Sequence, residues 1–158
     1  MGNIFTASEV VELGIQIEKN GRDFYNLVKE KSNSPKAREK FEYLAKQEEA
    51  HIQVFKRLLE QTQKYEPAES YPGEYLNYLN AVADEHVFTK EHKGEEVARG
   101  IKSDKEAIEL AIGFEKDSII LFGVMKGVVS IDGHKIIDQL IKQEQSHLVQ
   151  LVEIKKNI

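Results

Sequence analysis

The stretch KQEEAH (residues 46–51) recurs near the other end of the chain as KQEQSH (residues 142–147). Each copy contains Glu-x-x-His, a spacing that places both side chains on the same face of a helix. The chain has 27 acidic residues and five histidines, so two copies of so short a motif carry little weight by themselves. Their meaning depends on the sequence around them.

A second repeat accompanies the first. ELGIQIEKN (residues 12–20) matches ELAIGFEKD (residues 109–117), and each segment carries one glutamate within an apolar, helix-like pattern. Each half of the chain therefore has the same order: a helix with a glutamate, a short turn, and a helix with Glu-x-x-His. Two copies of one long unit indicate a doubled helical hairpin rather than a solenoid.

Helix start and stop signals support this reading. Capping boxes occur at TASE (residues 6–9) and SDKE (residues 103–106), Ser34-Pro35 is a typical helix start, and Asp132-Gly133 is a turn signal. Apolar residues between these signals recur with a period near 3.6. We predict four long helices, at about 8–31, 35–64, 103–130 and 133–158.

This order predicts an all-α, antiparallel four-helix bundle in which two helical hairpins are joined by a long crossover. The single domain spans residues 1–158, with hairpins at 7–64 and 103–157 and the crossover at 65–102. Within the crossover, residues 75–89 are expected to form a further short helix. Residues 84–96 are read as a solvated acidic segment rather than a second metal site, because His86 and His92 share no helical face.

The composition excludes several classes of protein. The chain has no cysteine, which excludes disulfides, zinc ribbons and iron–sulfur clusters. Its net charge of −5 argues against nucleic acid or an anionic membrane as a partner. We expect a cytoplasmic protein without a membrane span. MGNIFT (residues 1–6) fits a myristoylation pattern, but the capping box explains its threonine better.

The carboxylates interrupt apolar helix stripes. Each predicted helix has one apolar stripe that faces the core. Near the middle of this stripe stands a single glutamate in two of the helices and a Glu-x-x-His pair in the other two. Four carboxylates buried together would repel one another, whereas two divalent cations would neutralise them. Carboxylate and imidazole without sulfur suit iron or manganese, with zinc also open. Ordinary surface glutamates and core histidines are the alternative. The candidate ligands are Glu18, Glu48, His51, Glu115, Glu144 and His147.

These six positions make the chain resemble the ferritin-like superfamily of non-haem di-iron proteins, and within it the rubrerythrin-like branch. The resemblance implies that all six residues bind two iron ions, with Glu48 and Glu144 bridging and Glu18 and Glu115 terminal. Rubrerythrins also have a tyrosine where Tyr25 stands. It is expected to hydrogen-bond a ligand carboxylate or to protect against stray oxidation, the alternative being a core aromatic residue with a satisfied hydroxyl.

The sequence departs from that branch in several places. Rubrerythrins carry a further glutamate at the position of Ser118, and it takes part in their peroxide-reducing cycle. The cysteine-ligated rubredoxin domain that supplies electrons is absent, so a separate electron donor is expected. Glu49 stands where bacterioferritin has its haem-binding methionine, so haem is not expected. The crossover is also longer than in those relatives.

Three functions remain open from the sequence. The first is an oxidoreductase that reduces peroxide or dioxygen at a carboxylate-bridged di-iron centre. The second is a non-enzymatic protein that binds or stores iron, and the third is a metal-free interaction bundle. Relatives often pair through the bundle, which leaves a homodimer open.

Overall fold

The computed structural model describes residues 6–64 and 73–158, so the N-terminal lipidation pattern and the start of the crossover lie largely outside the described residues. The α-helices in these ranges are α1 (Ala7–Lys31), α2 (Pro35–Lys64), α3 (Gly73–Glu85), α4 (Lys93–Gly100), α5 (Asp104–Met125) and α6 (Ile131–Lys155). A turn of 3-10 helix, Val87–Thr89, lies between α3 and α4. None of these helices combines the length and apolarity needed to cross a bilayer.

The four long helices form the predicted bundle. Helix α1 packs against α2 and helix α5 against α6, while α1 also contacts α5 and α2 contacts α6. The stripes between them bury large apolar side chains, among them Phe41, Phe55 and Phe122. The fold prediction is confirmed, because each hairpin buries the face that its 3.6-residue period indicated.

The predicted helix starts of the first hairpin are confirmed. The Thr6 hydroxyl accepts a hydrogen bond from the Glu9 amide at 3.2 Å, and the Glu9 carboxylate accepts one from the Thr6 amide at 2.7 Å. Helix α2 begins at Pro35, where the Ser34 hydroxyl accepts from the Ala37 amide. These bonds satisfy backbone donors that the first turn leaves unpaired.

The turn of the second hairpin differs from the prediction. Helix α5 ends at Met125 rather than near Ser130, and Ser130 is instead the N-cap of α6, accepting from the Gly133 amide. Asp132-Gly133 consequently lies in the first turn of a helix and not in the connection. The signal was misread because serine followed by an acidic residue fits a helix start better than Asp-Gly fits a turn here.

The described part of the crossover packs against the bundle. The prediction of a solvated acidic segment holds for Asp84, Glu85, Glu91 and Glu96, which are exposed, but not for the residues that contact the bundle. His86 is 2% exposed and Phe88 is fully buried. The Phe88 ring lies 4.5 Å from that of Phe114 on α5 and 5.9 Å from that of Phe24 on α1, centroid to centroid. These contacts bury apolar surface that would otherwise leave the α1–α5 seam open to water.

A single buried side chain on α1 fixes this arrangement. The Asn20 amide donates to the carbonyl oxygens of Phe88 and Lys90 at 2.7 and 2.6 Å, and its oxygen accepts from the Gly94 amide at 3.1 Å. Glycine is required at position 94, since a Cβ there would overlap the Asn20 carbonyl oxygen. At the far end of the crossover, Lys31 donates to the carbonyl oxygens that end α4.

Candidate metal centre

The structure brings the six predicted ligand residues together inside the bundle. Each lies near the middle of its helix, so antiparallel packing places them at one level. All are almost completely inaccessible to solvent, with no residue more than 4% exposed. They are Glu18 on α1, Glu48 and His51 on α2, Glu115 on α5, and Glu144 and His147 on α6.

The six residues form two overlapping groups. One consists of Glu18, Glu48, His51 and Glu144, and the other of Glu48, Glu115, Glu144 and His147. In each group one ligand atom from every residue lies within 4.8 Å of the others. Glu48 and Glu144 belong to both groups, as carboxylates that bridge two ions would.

Both imidazole rings point Nδ1 at the carboxylates. His51 Nδ1 lies 2.7 Å from Glu144 Oε1 and 3.3 Å from Glu18 Oε2. His147 Nδ1 lies 3.2 Å from Glu144 Oε2 and 3.5 Å from Glu48 Oε1. The two rings are almost parallel, with centroids 5.5 Å apart. The nitrogen that faces the carboxylates is therefore the same atom in both halves.

Burial favours the protonated form of two of the carboxylates. The pKa values of Glu18 and Glu115 are both raised well above 4.5, chiefly because burial disfavours the charged form. The neighbouring charges of Glu48 and Glu144 raise them further. Without bound metal, the centre is thus expected to hold protons where the cations would bind.

The pKa of Glu144 shifts in the opposite direction. Burial opposes its ionisation, but hydrogen bonds with Glu115, His147 and His51 lower its pKa below the usual range. Burial likewise opposes the charged form of His147, while hydrogen bonds with Glu115, Glu144 and Glu48 raise its pKa. In the metal-free protein Glu144 and His147 therefore form a buried ion pair.

Small residues next to Glu18 leave room for neighbouring helices. A Cβ at Gly21 would lie 3.0 Å from Glu48 Oε2, and one at Gly14 would lie 2.6 Å from the Phe55 ring. The space at Gly21 is thus occupied by a candidate ligand, and the space at Gly14 by a core aromatic ring. Glycine at position 21 allows the Glu48 carboxylate to approach α1.

Tyr25 lies in the core, and its hydroxyl hydrogen-bonds a candidate ligand carboxylate. Its fully buried hydroxyl donates to Glu115 Oε1 at 2.6 Å. Burial, followed by the charge of Glu115, raises the Tyr25 pKa well above 10, so the phenol keeps its proton. Phenol donation to one carboxylate oxygen orients the other for binding.

Replacing Tyr25 by phenylalanine should weaken metal binding about 10- to 100-fold while leaving the fold intact, because a partner that orients a ligand is lost without a change of volume. Competition with a chelator of known affinity measures the change. Tyr78→Phe is the control, since Tyr78 is 54% exposed and lies on α3. Equal affinities for the two variants would contradict an orienting role.

The donors present fit a pair of cations. Glu18 Oε1 and Glu48 Oε1 are buried and have no hydrogen-bond partner among the described residues. Buried oxygen atoms without partners are unfavourable unless another group binds them. Four carboxylates and two imidazoles, without sulfur, form the donor set expected for two ions such as iron or manganese.

Two residues at the edge of this centre were missed by the sequence reasoning. Asn20 holds the crossover two residues after Glu18, and His86 reaches Ser118, one helical turn after Glu115. Asn20 had a signal in the sequence, because it aligns with Asp117 in the repeat. In the structure Asp117 also lies near a crossover residue, Glu85. His86 had no such signal, since its partner is 32 residues away.

Comparison with known proteins gives two matches. A protein-family model described as Rubrerythrin matches residues 9–155. The chain is also similar to a crystal structure described as that of a ferritin-like diiron-carboxylate protein from Thermotoga maritima, with 26% sequence identity and a TM-score of 0.71. That similarity covers 96% of this chain and 95% of the other. No curated protein matches the chain in sequence.

Proposed function

The chain belongs to the rubrerythrin family, and from that premise we propose that it is a dinuclear iron protein, an oxidoreductase that reduces peroxide or dioxygen. Its ligands are the six residues of the buried centre, with Glu48 and Glu144 shared between the two ions. The observation that carries the proposal is the pair of overlapping groups, since two shared carboxylates are what a bridged metal pair requires.

Iron is proposed because the donor set is mixed oxygen and imidazole nitrogen. An iron pair would supply one-electron redox chemistry and a position at which an oxygen-containing molecule binds. The protein's own contribution is to hold the carboxylates in place. Tyr25 donates to Glu115, and the packing around Glu48 fixes a shared ligand.

Exclusion of water is the second contribution of the chain. The crossover covers the α1–α5 seam by packing the Phe88 ring against the rings of Phe24 and Phe114, while the six ligand side chains are at most 5% exposed. A dry pocket strengthens the electrostatic interactions inside it and limits side reactions of reactive oxygen species.

A separate electron donor is proposed as the partner. Reduction of peroxide to water consumes two electrons and two protons, and this chain has no cysteine with which to bind a second redox centre of the iron–sulfur type. We therefore propose that another molecule supplies the electrons after each turnover.

The test starts with metal analysis of the protein after anaerobic loading with ferrous iron. About two irons per chain are expected. Stopped-flow mixing of this form with peroxide, and separately with dioxygen, should give fast oxidation followed by repeated turnover when a chemical reductant is present. The exposed-residue variant Glu153→Gln should behave as the wild type.

Three results are informative. Two irons with turnover support the oxidoreductase. A single slow oxidation followed by growth of iron mineral would instead identify iron storage. A folded protein that binds no metal after anaerobic loading would refute the assignment of the six ligands.

A further inference from the structure

A buried pair of side chains adjoins the candidate metal centre. His86 comes from the crossover and Ser118 from α5, and they are 2% and 3% exposed. His86 Nε2 lies 3.0 Å from Ser118 Oγ. Neither residue belongs to the two ligand groups.

The position of His86 is fixed on two sides. Its Nδ1 is 3.1 Å from the backbone nitrogen of Phe88, and Asn20 binds the carbonyl oxygens of Phe88 and Lys90. Asn20 stands two residues from Glu18, so the segment that carries His86 is attached to the same helix that carries a candidate ligand. His86 is therefore held between α1, through Asn20, and α5, through Ser118, and these helices carry Glu18 and Glu115.

The hydrogen bonds in this pair run in one direction. A backbone N–H can only donate, so the Phe88 amide donates and His86 Nδ1 accepts. Burial lowers the His86 pKa to about 4, so the ring is neutral near pH 7 and carries its proton on Nε2. Nε2–H consequently donates to Ser118 Oγ.

The hydroxyl hydrogen of Ser118 is then left without an acceptor in the described residues. A helical serine or threonine can donate to the carbonyl four residues earlier, as Thr62 does to Leu58 at 2.7 Å. Ser118 makes no such bond to Phe114, and His86 is its hydrogen-bond partner in the described residues. Buried polar hydrogens are almost always bonded, so a further acceptor is implied.

The position of Ser118 on α5 indicates where the acceptor of its hydroxyl hydrogen would lie. Ser118 follows Glu115 by three residues, which puts their Cβ atoms about 5–6 Å apart on one face of α5. Both side chains are buried. A molecule that accepts this hydrogen bond would lie beside Glu115.

We propose that Ser118 donates a hydrogen bond to a small anion or oxygen-containing molecule bound at the metal centre, and that His86 positions the serine hydroxyl for this role. The inference rests on the proposed function, because it requires a metal pair for the small molecule to bind. Ser118 would be a binding residue for the substrate, and His86 a positioning residue that acts through it.

Azide titration of the iron-loaded, oxidised protein tests this inference, with absorption spectroscopy as the readout and iron content measured in each sample. Ser118→Ala should weaken azide binding about tenfold or more, because a hydrogen bond to a charged ligand is lost. Ser118→Thr retains a hydroxyl and should bind azide with close to the wild-type affinity.

Two variants test the positioning role. His86→Gln can still accept from the Phe88 amide and donate to Ser118, so its azide affinity should stay close to that of the wild type. His86→Leu can do neither and should bind azide several-fold more weakly. Loss of packing alone would not produce rescue by glutamine.

The outcomes separate this inference from the proposed function. Two irons per chain and equal azide affinity in the wild type and Ser118→Ala would overturn the inference alone. So would an iron-loaded wild type whose spectrum does not respond to azide. A wild type that binds no metal would overturn both.

Discussion

Replacing Glu144 by glutamine should remove both metal ions from the protein rather than one. Glu144 belongs to both ligand groups, and its carboxylate oxygens lie 2.7 Å from His51 Nδ1 and 3.2 Å from His147 Nδ1. A neutral amide of the same size removes the charge that both ions share. Metal content should fall from about two ions per chain to nearly none.

Glu18→Gln is the informative comparison, because Glu18 belongs to one group only. We expect this variant to lose about one ion and to keep the other. Glu153→Gln, an exposed change on the same helix as Glu144, should lose neither. Elemental analysis after loading and desalting measures all three, with circular dichroism to verify folding. Equal loss in Glu144→Gln and Glu18→Gln would argue against shared carboxylates.

Metal should stabilise the protein more strongly as the pH rises. The folded pKa values of Glu18 and Glu115 lie above their ordinary value of 4.5, so the metal-free folded state binds more protons than the unfolded chain. Its stability consequently falls as the pH rises from about 4.5 through the raised values. His147 changes the stability of the metal-free protein in the same direction. Its stabilising proton is lost as the pH rises through its raised folded pKa.

Metal ions replace these protons, so the loaded protein does not share that loss. Each displaced proton adds about 1.4 kcal/mol of metal stabilisation per pH unit, and two would widen the difference in Tm by roughly 5–10 °C per unit. Thermal unfolding of both forms between about pH 5 and pH 8 measures it. His86, whose pKa is lowered to about 4, destabilises both forms equally at low pH and cancels in the difference.

A difference in Tm that is independent of pH would contradict this account. The metal-free double variant Glu18→Gln/Glu115→Gln serves as the control. Its two amides cannot ionise, so its stability should vary less with pH than that of the metal-free wild type.

The bundle and the six clustered residues could be predicted because their signals are local and repeated. A stripe with a period of 3.6 shows which face of a helix is buried, and a polar residue in the middle of it is visible without knowledge of the partner helix. The repeat related Glu18 to Glu115 and His51 to His147. Antiparallel pairing then places all of them at one level of the bundle.

The crossover could not be predicted in the same way. His86 is buried because Ser118 and the Phe88 segment meet it, and these contacts depend on how the chain returns across α1 and α5. Nothing in the local composition of residues 84–96 distinguishes such a segment from a solvated one. The turn between α5, which ends at Met125, and α6 was misplaced for a different reason. The cap signal at Ser130 and the turn signal at Asp132-Gly133 lie within four residues and favour different helix boundaries.

The Asn20 clamp also has a consequence for the order in which the protein folds. Its three hydrogen bonds join residues 68, 70 and 74 positions apart, whereas the contacts within each hairpin are much closer in sequence. Closing so long a loop carries a larger entropic penalty, so we expect the hairpins to form before the crossover docks. Metal ions would then enter while the α1–α5 seam is still open, and docking would enclose them.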